Sequence, residues 1–200
     1  GGKLEEATWP EAFAAVGEAT KGLSGDAMAA IAGDMADSES MAALKDLMAA
    51  FGSTNIDCRQ DGAKLDASVR ASYIFNSTIA GINRASAALL IGCDPRSEAP
   101  VLNARIRKRW TWGDFSVGVI GANGDMTYPT TQLGDGPDAL KDLVDGKNDF
   151  AQVLKDAERP LIIVGQGALA RSDGAHVLTM ARQVAENCGA ISGDWNGFNV

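Results

Sequence analysis

The sequence predicts an α/β fold, a parallel sheet with helices packed on its faces. Two observations carry that expectation. Short apolar runs closed by glycine, aspartate or proline alternate along the chain with longer segments whose apolar residues recur at helical spacing. The chain is also 46% hydrophobic and 22% charged over 200 residues, which supplies enough apolar surface for a core and excludes a disordered chain.

The elements follow in order. Thr8-Trp9-Pro10-Glu11 predicts a helix start, with Thr8 as cap, Glu11 answering its amide and Pro10 in a first turn whose amides lack partners. That helix should run to about Thr20 and bury the face formed by Trp9, Ala12, Phe13, Val16 and Ala19. Ala27 to Ala32, stopped by Gly33-Asp34, predicts a short buried strand. Asp37-Ser38 caps a second helix, whose stripe is Ala42, Leu44, Leu47, Met48 and Phe51 and whose end is marked by Gly52. Residues 53–66 are polar, with a turn at Asp61-Gly62, and suggest no regular element.

A helix is expected around residues 77–86, then a strand at Ala87 to Ile91 that stops at Gly92-Cys93-Asp94-Pro95. Pro100 opens the next helix, with Val101, Leu102, Ile106 and Trp110 on one face and Arg105, Arg107, Lys108 and Arg109 solvated. Phe115 to Ile120 reads as a strand ending in the turn 121–125. Short helices are expected at Asp138 to Val144 and Asp149 to Ala157. Leu161 to Val164 is the clearest strand, and Asp173 to Glu186 the clearest long helix.

Composition narrows the function. A net charge of −8 argues against a surface that tracks nucleic-acid phosphates. Apolar runs of four or five residues fall far short of the roughly 20 needed to span a bilayer. The N-terminus has neither the basic nor the apolar part of a secretory signal, so a reducing, cytoplasm-like compartment is expected. The missing initiating methionine and the ending at Phe198-Asn199-Val200 lead to the expectation of a piece of a longer chain. Cys58, Cys93 and Cys188 are widely spaced, and with the single His176 they offer no metal-ligand pattern. His176, inside an amphipathic helix, is expected to be a surface or packed residue.

Two loops at the carboxyl ends of strands could bind a ligand, because that is where open α/β sheets place them. Gly165-Gln166-Gly167-Ala168-Leu169-Ala170 matches G-x-G-x-x-A, with Glu186 about 20 residues on as a possible ribose-binding acid, the pattern of an NAD site. A helix starting as late as Asp173 weighs against that pattern and for a tight turn. Gly92-Cys93-Asp94-Pro95-Arg96 is the other loop, where Arg96 is expected to pair with Glu98 or to cap a carbonyl. The basic cluster from Arg105 to Arg109 reads as a solvated face that could meet an acidic neighbour.

Beyond the residues themselves stands a resemblance. Gly2-Lys3-Leu4 followed by Thr8-Trp9-Pro10-Glu11-Ala12 resembles the entry segment of molybdopterin oxidoreductases. Leu89-Leu90-Ile91-Gly92-Cys93-Asp94-Pro95 is similar to their cofactor-side loop, and Pro160 to Gly167 to a later strand and glycine turn. Glu98-Ala99-Pro100-Val101-Leu102-Asn103-Ala104-Arg105-Ile106-Arg107-Lys108 and Asp194-Trp195-Asn196-Gly197-Phe198-Asn199-Val200 resemble one branch, the large iron–sulfur subunit of respiratory complex I, NADH:quinone oxidoreductase.

The resemblance implies a Rossmann-like domain of the formate dehydrogenase and DMSO reductase type across residues 1–200, with sub-lobes of 1–86 with 158–200 and of 87–157. It implies a non-catalytic scaffold in a subunit whose iron–sulfur clusters lie elsewhere. Its partners are then the rest of that subunit and the neighbouring subunits of the peripheral arm, on the cytoplasmic face of a bacterial inner membrane or the matrix side. No cofactor is expected within these residues. Were molybdopterin bound, Gly92, Asp94, Pro95, Gly165 and Gly167 would line its site.

Two departures count against the pterin. About 60 residues separate Pro100 from Pro160, few for a full doubly wound domain. Asp94 stands where relatives have Asn, and a carboxylate repels a pyrophosphate. Trp195 and Phe198 are expected to be exposed near the chain end.

Overall fold

The computed structural model describes residues 2–33, 35–58, 62–121 and 124–200; Asp34, Asp61 of the expected Asp61-Gly62 turn and the centre of the turn at 121–125 lie outside them. The chain divides into two compact units, residues 1–61 and 62–200.

In the first unit, α1 (Trp9–Thr20) starts where expected: the Glu11 carboxylate accepts from the Thr8 amide at 2.8 Å and from its hydroxyl at 2.7 Å. After β1 (Ala30–Ile31) comes α2 (Ser38–Ala50), capped by Asp37, which accepts from the Ser40 amide at 2.7 Å. Gly52 follows in the left-handed region at φ +69°. β2 (Ile56–Asp57) pairs in parallel with β1, in a segment whose polarity suggests no element.

Two expectations for this unit need correction. The apolar face of α1 is exposed, Trp9 by 76% and Phe13 by 66%, and α1 buries no residue. The buried strand expected over 27–32 shrinks to two residues, with Ile31 59% exposed. Its first residues instead form a turn at Gly25–Ala27, where Gly25 is pressed so close to the Gly52 carbonyl that a Cβ would lie 2.1 Å from it. Periodicity reports which side of an element is apolar; it does not supply the layer that covers it.

The second unit begins with α3 (Thr78–Gly81) and a 3-10 turn (Ile82–Arg84), shorter than the helix expected over 77–86. Then follow β3 (Ala87–Ile91), α4 (Pro95–Glu98), α5 (Pro100–Trp110), β4 (Ser116–Ile120), β5 (Thr131–Gly134), α6 (Pro137–Val144) and α7 (Phe150–Asp156). β6 (Pro160–Val164), α8 (Gln166–Leu169), α9 (Gly174–Asn187), β7 (Ile191–Ser192), β8 (Trp195–Asn196) and β9 (Phe198–Asn199) complete it. β7 and β8 form a small antiparallel pair.

The main sheet has the order β5-β4-β3-β6-β9, with every pairing parallel. Sequence order therefore runs outward from β3 in one direction, then reverses and continues from β6 in the other. That reversal is the topological switch point of a nucleotide-type α/β sheet. All five residues of β3 and all five of β6 are buried, as central parallel strands must be.

Alternate residues feed a core on each face. Leu89, Ile91, Ile162 and Val164 pack with Leu140, Leu154 and Ala181 on one side. Leu90, Val117, Leu161 and Ile163 pack with Ile82, Ile106 and Trp195 on the other. Burying a side chain of this size contributes about 1.5–3 kcal/mol.

Three more expectations change here. The interval from Pro100 to Pro160 looks too short by residue count, yet it holds two strands and three helices because the link from β4 to β5 carries no helix. Sub-lobes of 1–86 with 158–200 and of 87–157 would part β3 from β6, which pair along their whole length. Trp195 and Phe198 are buried, at 5% and 2% exposure. Phe198 belongs to β9, the fifth strand of the sheet, and the Trp195 indole donates to the Pro160 carbonyl at 3.0 Å.

Candidate functional site

The carboxyl ends of β3 and β6 meet at the switch point, and glycines let them approach. The Gly165 amide donates to the Ile91 carbonyl at 2.8 Å, and a Cβ on Gly165 would lie 2.2 Å from the Gly92 oxygen. Gly92 itself sits at φ +56°, with room for no side chain against Ala168. Its amide donates to the Ile120 carbonyl at 2.8 Å, and the Gly121 amide to that of Gly134 at 2.8 Å. These strand-end amides are therefore committed to the sheet.

Beside them opens a cleft of about 330 Å³ between the ends of β3 and β4 and the starts of α6 and α8. Gly92 and Gly167 line it together with Gly121, Asp135, Gly136 and Arg171. Sequence reasoning missed the last four; the Gly134-Asp135-Gly136-Pro137 turn before a helix was the available signal. Gly165 is not among the lining residues, being buried behind the cleft.

Asp94 and Pro95 do not line it either. Asp94 caps α4, accepting from the Ser97 hydroxyl at 2.7 Å and the Arg96 amide at 3.0 Å, and the hydrogen bonds from Ser97 hold its carboxyl below the usual range. Pro95 is buried in the first turn. Arg96 pairs not with Glu98 but with Asp125, at 2.7 Å, while Glu98 accepts from the Asp94 amide.

The Gly165 loop leads into a helix of four residues, and the long α9 starts only at Gly174. Glu186 lies in the last turn of α9, paired with Arg182 at 3.0 Å, so it is not at a strand tip where an NAD ribose would be met. Ala170 ends α8 at the surface. Both requirements of the NAD pattern thus fail.

The cleft is a weak place for an anion. Arg171 is held by Asp173 through bonds of 2.7 and 2.9 Å, and Asp135 adds a negative charge. Nearby Cys93 is buried and its thiol is pushed up to about 12, by desolvation first and by Glu98 second, so it stays protonated. His176 is exposed on α9. Among the described residues no group of three or more His, Cys, Asp and Glu is placed to hold a metal ion.

The motif residues instead hold the fold. Asn103 is buried, accepting from the Tyr128 hydroxyl at 2.7 Å and donating to the Met126 carbonyl at 3.2 Å, which fixes the link between β4 and β5. Arg109 donates to the Ala85 carbonyl at 2.6 Å and lies 4.9 Å from the Phe115 ring centroid, so it is not simply solvated. Gly197 is needed because a Cβ there would lie 2.1 Å from the Pro160 oxygen.

The chain is 38% identical over 199 residues to the NADH dehydrogenase [ubiquinone] iron-sulfur protein 1, mitochondrial, of Solanum tuberosum. It is 38% identical to an NADH-quinone oxidoreductase chain of Rickettsia prowazekii and 39% identical to one of Rickettsia conorii. All of this chain is covered in each case, but only 27% of the first relative and 30% of the other two. Among solved structures, the formyltransferase/hydrolase complex of Methylorubrum extorquens has the same fold over 92% of this chain and 57% of its own, with a TM-score of 0.65 at 16% identity. A family model described as molybdopterin oxidoreductase matches residues 1–200. With a parallel sheet that reverses its order between β3 and β6, and with that match over its whole length, the chain belongs to the molybdopterin oxidoreductase family.

Proposed function

We propose that the chain is a scaffold region of the large iron–sulfur subunit of an NADH:quinone oxidoreductase and does not itself carry electrons from NADH to quinone. One observation carries the reading: the residues that give the chain its likeness to that subunit are spent on internal contacts. Asn103, Arg109 and the Trp195 indole bond to buried or backbone partners, and the amides of Gly92, Gly121 and Gly165 close the sheet. A site that reads a ligand keeps some of its donors free.

Molybdopterin, which the family implies, fits these residues poorly. A pyrophosphate calls for unbonded amides or free cations, whereas the strand-end amides are bonded, Arg171 is paired and Asp135 is negative. The reading accordingly has no pterin in this region and places the iron–sulfur clusters outside residues 1–200. Its partners are the rest of the subunit and the neighbouring peripheral-arm subunits, on the cytoplasmic face of a bacterial inner membrane or the matrix side of a mitochondrial one. No helix of the described residues is long and apolar enough to cross a membrane.

The test uses the full-length subunit in its assembled complex. Gly167→Glu puts a carboxylate into the cleft without crowding, since nothing lies within 4 Å of a Cβ there. The expected result is an unchanged NADH:quinone rate, together with no molybdenum, tungsten or pterin fluorescence in the wild-type region after a reconstitution control. Stoichiometric pterin, or a loss of rate with assembly intact, would sink the reading.

A further inference from the structure

Helix α5 buries Asn103 and Ile106 and partly covers Leu102 and Trp110. Its opposite face carries Val101, Arg105, Lys108 and, just past the last turn, Trp112, at spacings of four, three and four that form one stripe. Val101 is 79% exposed and Trp112 55%. Among the described residues neither Arg105 nor Lys108 has an ion-pair partner.

The surrounding charge makes the stripe unusual. The chain as a whole carries 26 acidic residues against 18 basic ones, whereas residues 99–114 hold Arg105, Arg107, Lys108 and Arg109 against the single acid Asp114. Fold requirements account for part of this: Arg109 braces Ala85, Arg107 donates to the Thr127 carbonyl at 3.3 Å, and cations in a last turn suit the helix dipole. They do not account for Arg105, which precedes that turn, or for two exposed apolar side chains at the ends of the stripe.

We propose that this stripe docks an acidic segment of a partner protein, whose carboxylates meet Arg105 and Lys108 and whose apolar side chains cover Val101 and Trp112. Charge complementarity selects the occupant. A chain of net charge −8 repels an acidic protein over most of its surface and attracts it here, which fixes orientation as well as contact.

A photoreactive benzophenone residue at exposed Ala104, in the full chain expressed in its own cells, tests this. The expected product is an adduct with one other protein, at a segment holding two or more Asp or Glu. The variant R105E/K108E changes only the outer face, so its melting temperature should hold while the adduct falls about tenfold or more. Reversing the partner's acids should restore it, and a peptide of that segment should bind the purified chain more weakly as salt rises. An adduct with a second copy of this chain, one at a segment without acids, a yield indifferent to R105E/K108E, or no adduct at all overturns the proposal. A partner from outside a respiratory assembly would support the docking and count against the scaffold reading, so the two fail separately.

Discussion

The side-chain oxygen of Asn199 accepts two hydrogen bonds from Ser77, one from its amide at 2.9 Å and one from its hydroxyl at 3.0 Å. The other end of the same side chain donates to the carbonyls of Ile162 at 3.2 Å and Gly197 at 2.8 Å. Asn199 is wholly buried, so one polar group with its bonding capacity used ties the start of the second unit to β6 and to the chain end.

Replacing Asn199 by Leu removes these bonds and leaves buried groups unpaired. The expected cost is about 3–5 kcal/mol, against about 1 kcal/mol for Ser77→Ala, which keeps the amide bond. Urea denaturation checks both, and the double variant should show a coupling of at least about 0.5 kcal/mol.

Gly165 and Gly167 belong to one glycine motif but should respond oppositely to alanine. At Gly165 the new Cβ would lie 2.2 Å from the Gly92 oxygen and 2.6 Å from the Cys93 Cβ, so a loss of about 2 kcal/mol or more is expected. Gly167, helical and with nothing within 4 Å, should gain about 0.5–1 kcal/mol from Ala. Equal losses at both positions would show that the motif acts as a unit, as a phosphate loop does.

Thiol chemistry should separate the cysteines. Exposed Cys58 should react at once with a disulfide reagent, while buried Cys93 and Cys188 should wait for unfolding. Burial raises the Cys93 thiol from 9.0 to about 12 and pushes the Tyr128 phenol upward as well. Both groups are neutral when protonated, so above the unfolded value the unfolded chain gives up protons that the folded chain keeps. Their contribution to stability is thus complete below about pH 9 and is lost as pH rises toward 12. Cys93→Ala should flatten that alkaline decline in a pH series of denaturation midpoints.

Thr78 holds φ +60°, a conformation that costs a β-branched residue about 1–2 kcal/mol. Its hydroxyl accepts from the Gly81 amide at 3.3 Å, which offsets part of that cost. Asn tolerates the conformation and retains an acceptor, so Thr78→Asn should stabilise by up to about 1 kcal/mol. Thr78→Ala keeps the strain and loses the bond, and should destabilise. Melting curves of the two variants decide.

The elements legible in the sequence are those whose signal is local. β3 and β6 are uninterrupted apolar runs, α1 and α2 carry their caps, and α9 has both period and length. β2, β5 and β9 escape such a reading because strands of two to four residues have too few side chains to show a period. The cleft is half legible: Gly92 and Gly167 follow apolar strands, while Asp135, Gly136 and Arg171 reach it from segments that only the crossover connections bring near.

The sequence by itself determined the α/β class, the ends of most helices and the family, since caps, runs and motifs act over a few residues. Only the tertiary structure decided what those motifs do. Whether a glycine receives a phosphate or lets two strands touch depends on its nearest neighbours, and for Gly92 and Gly165 those are the protein's own backbone and side chains. Whether an apolar face is core depends on a second layer: Phe198 finds one as part of the fifth strand, and Trp9 does not. Both outcomes rest on contacts between residues far apart in the chain, which local spacing does not encode.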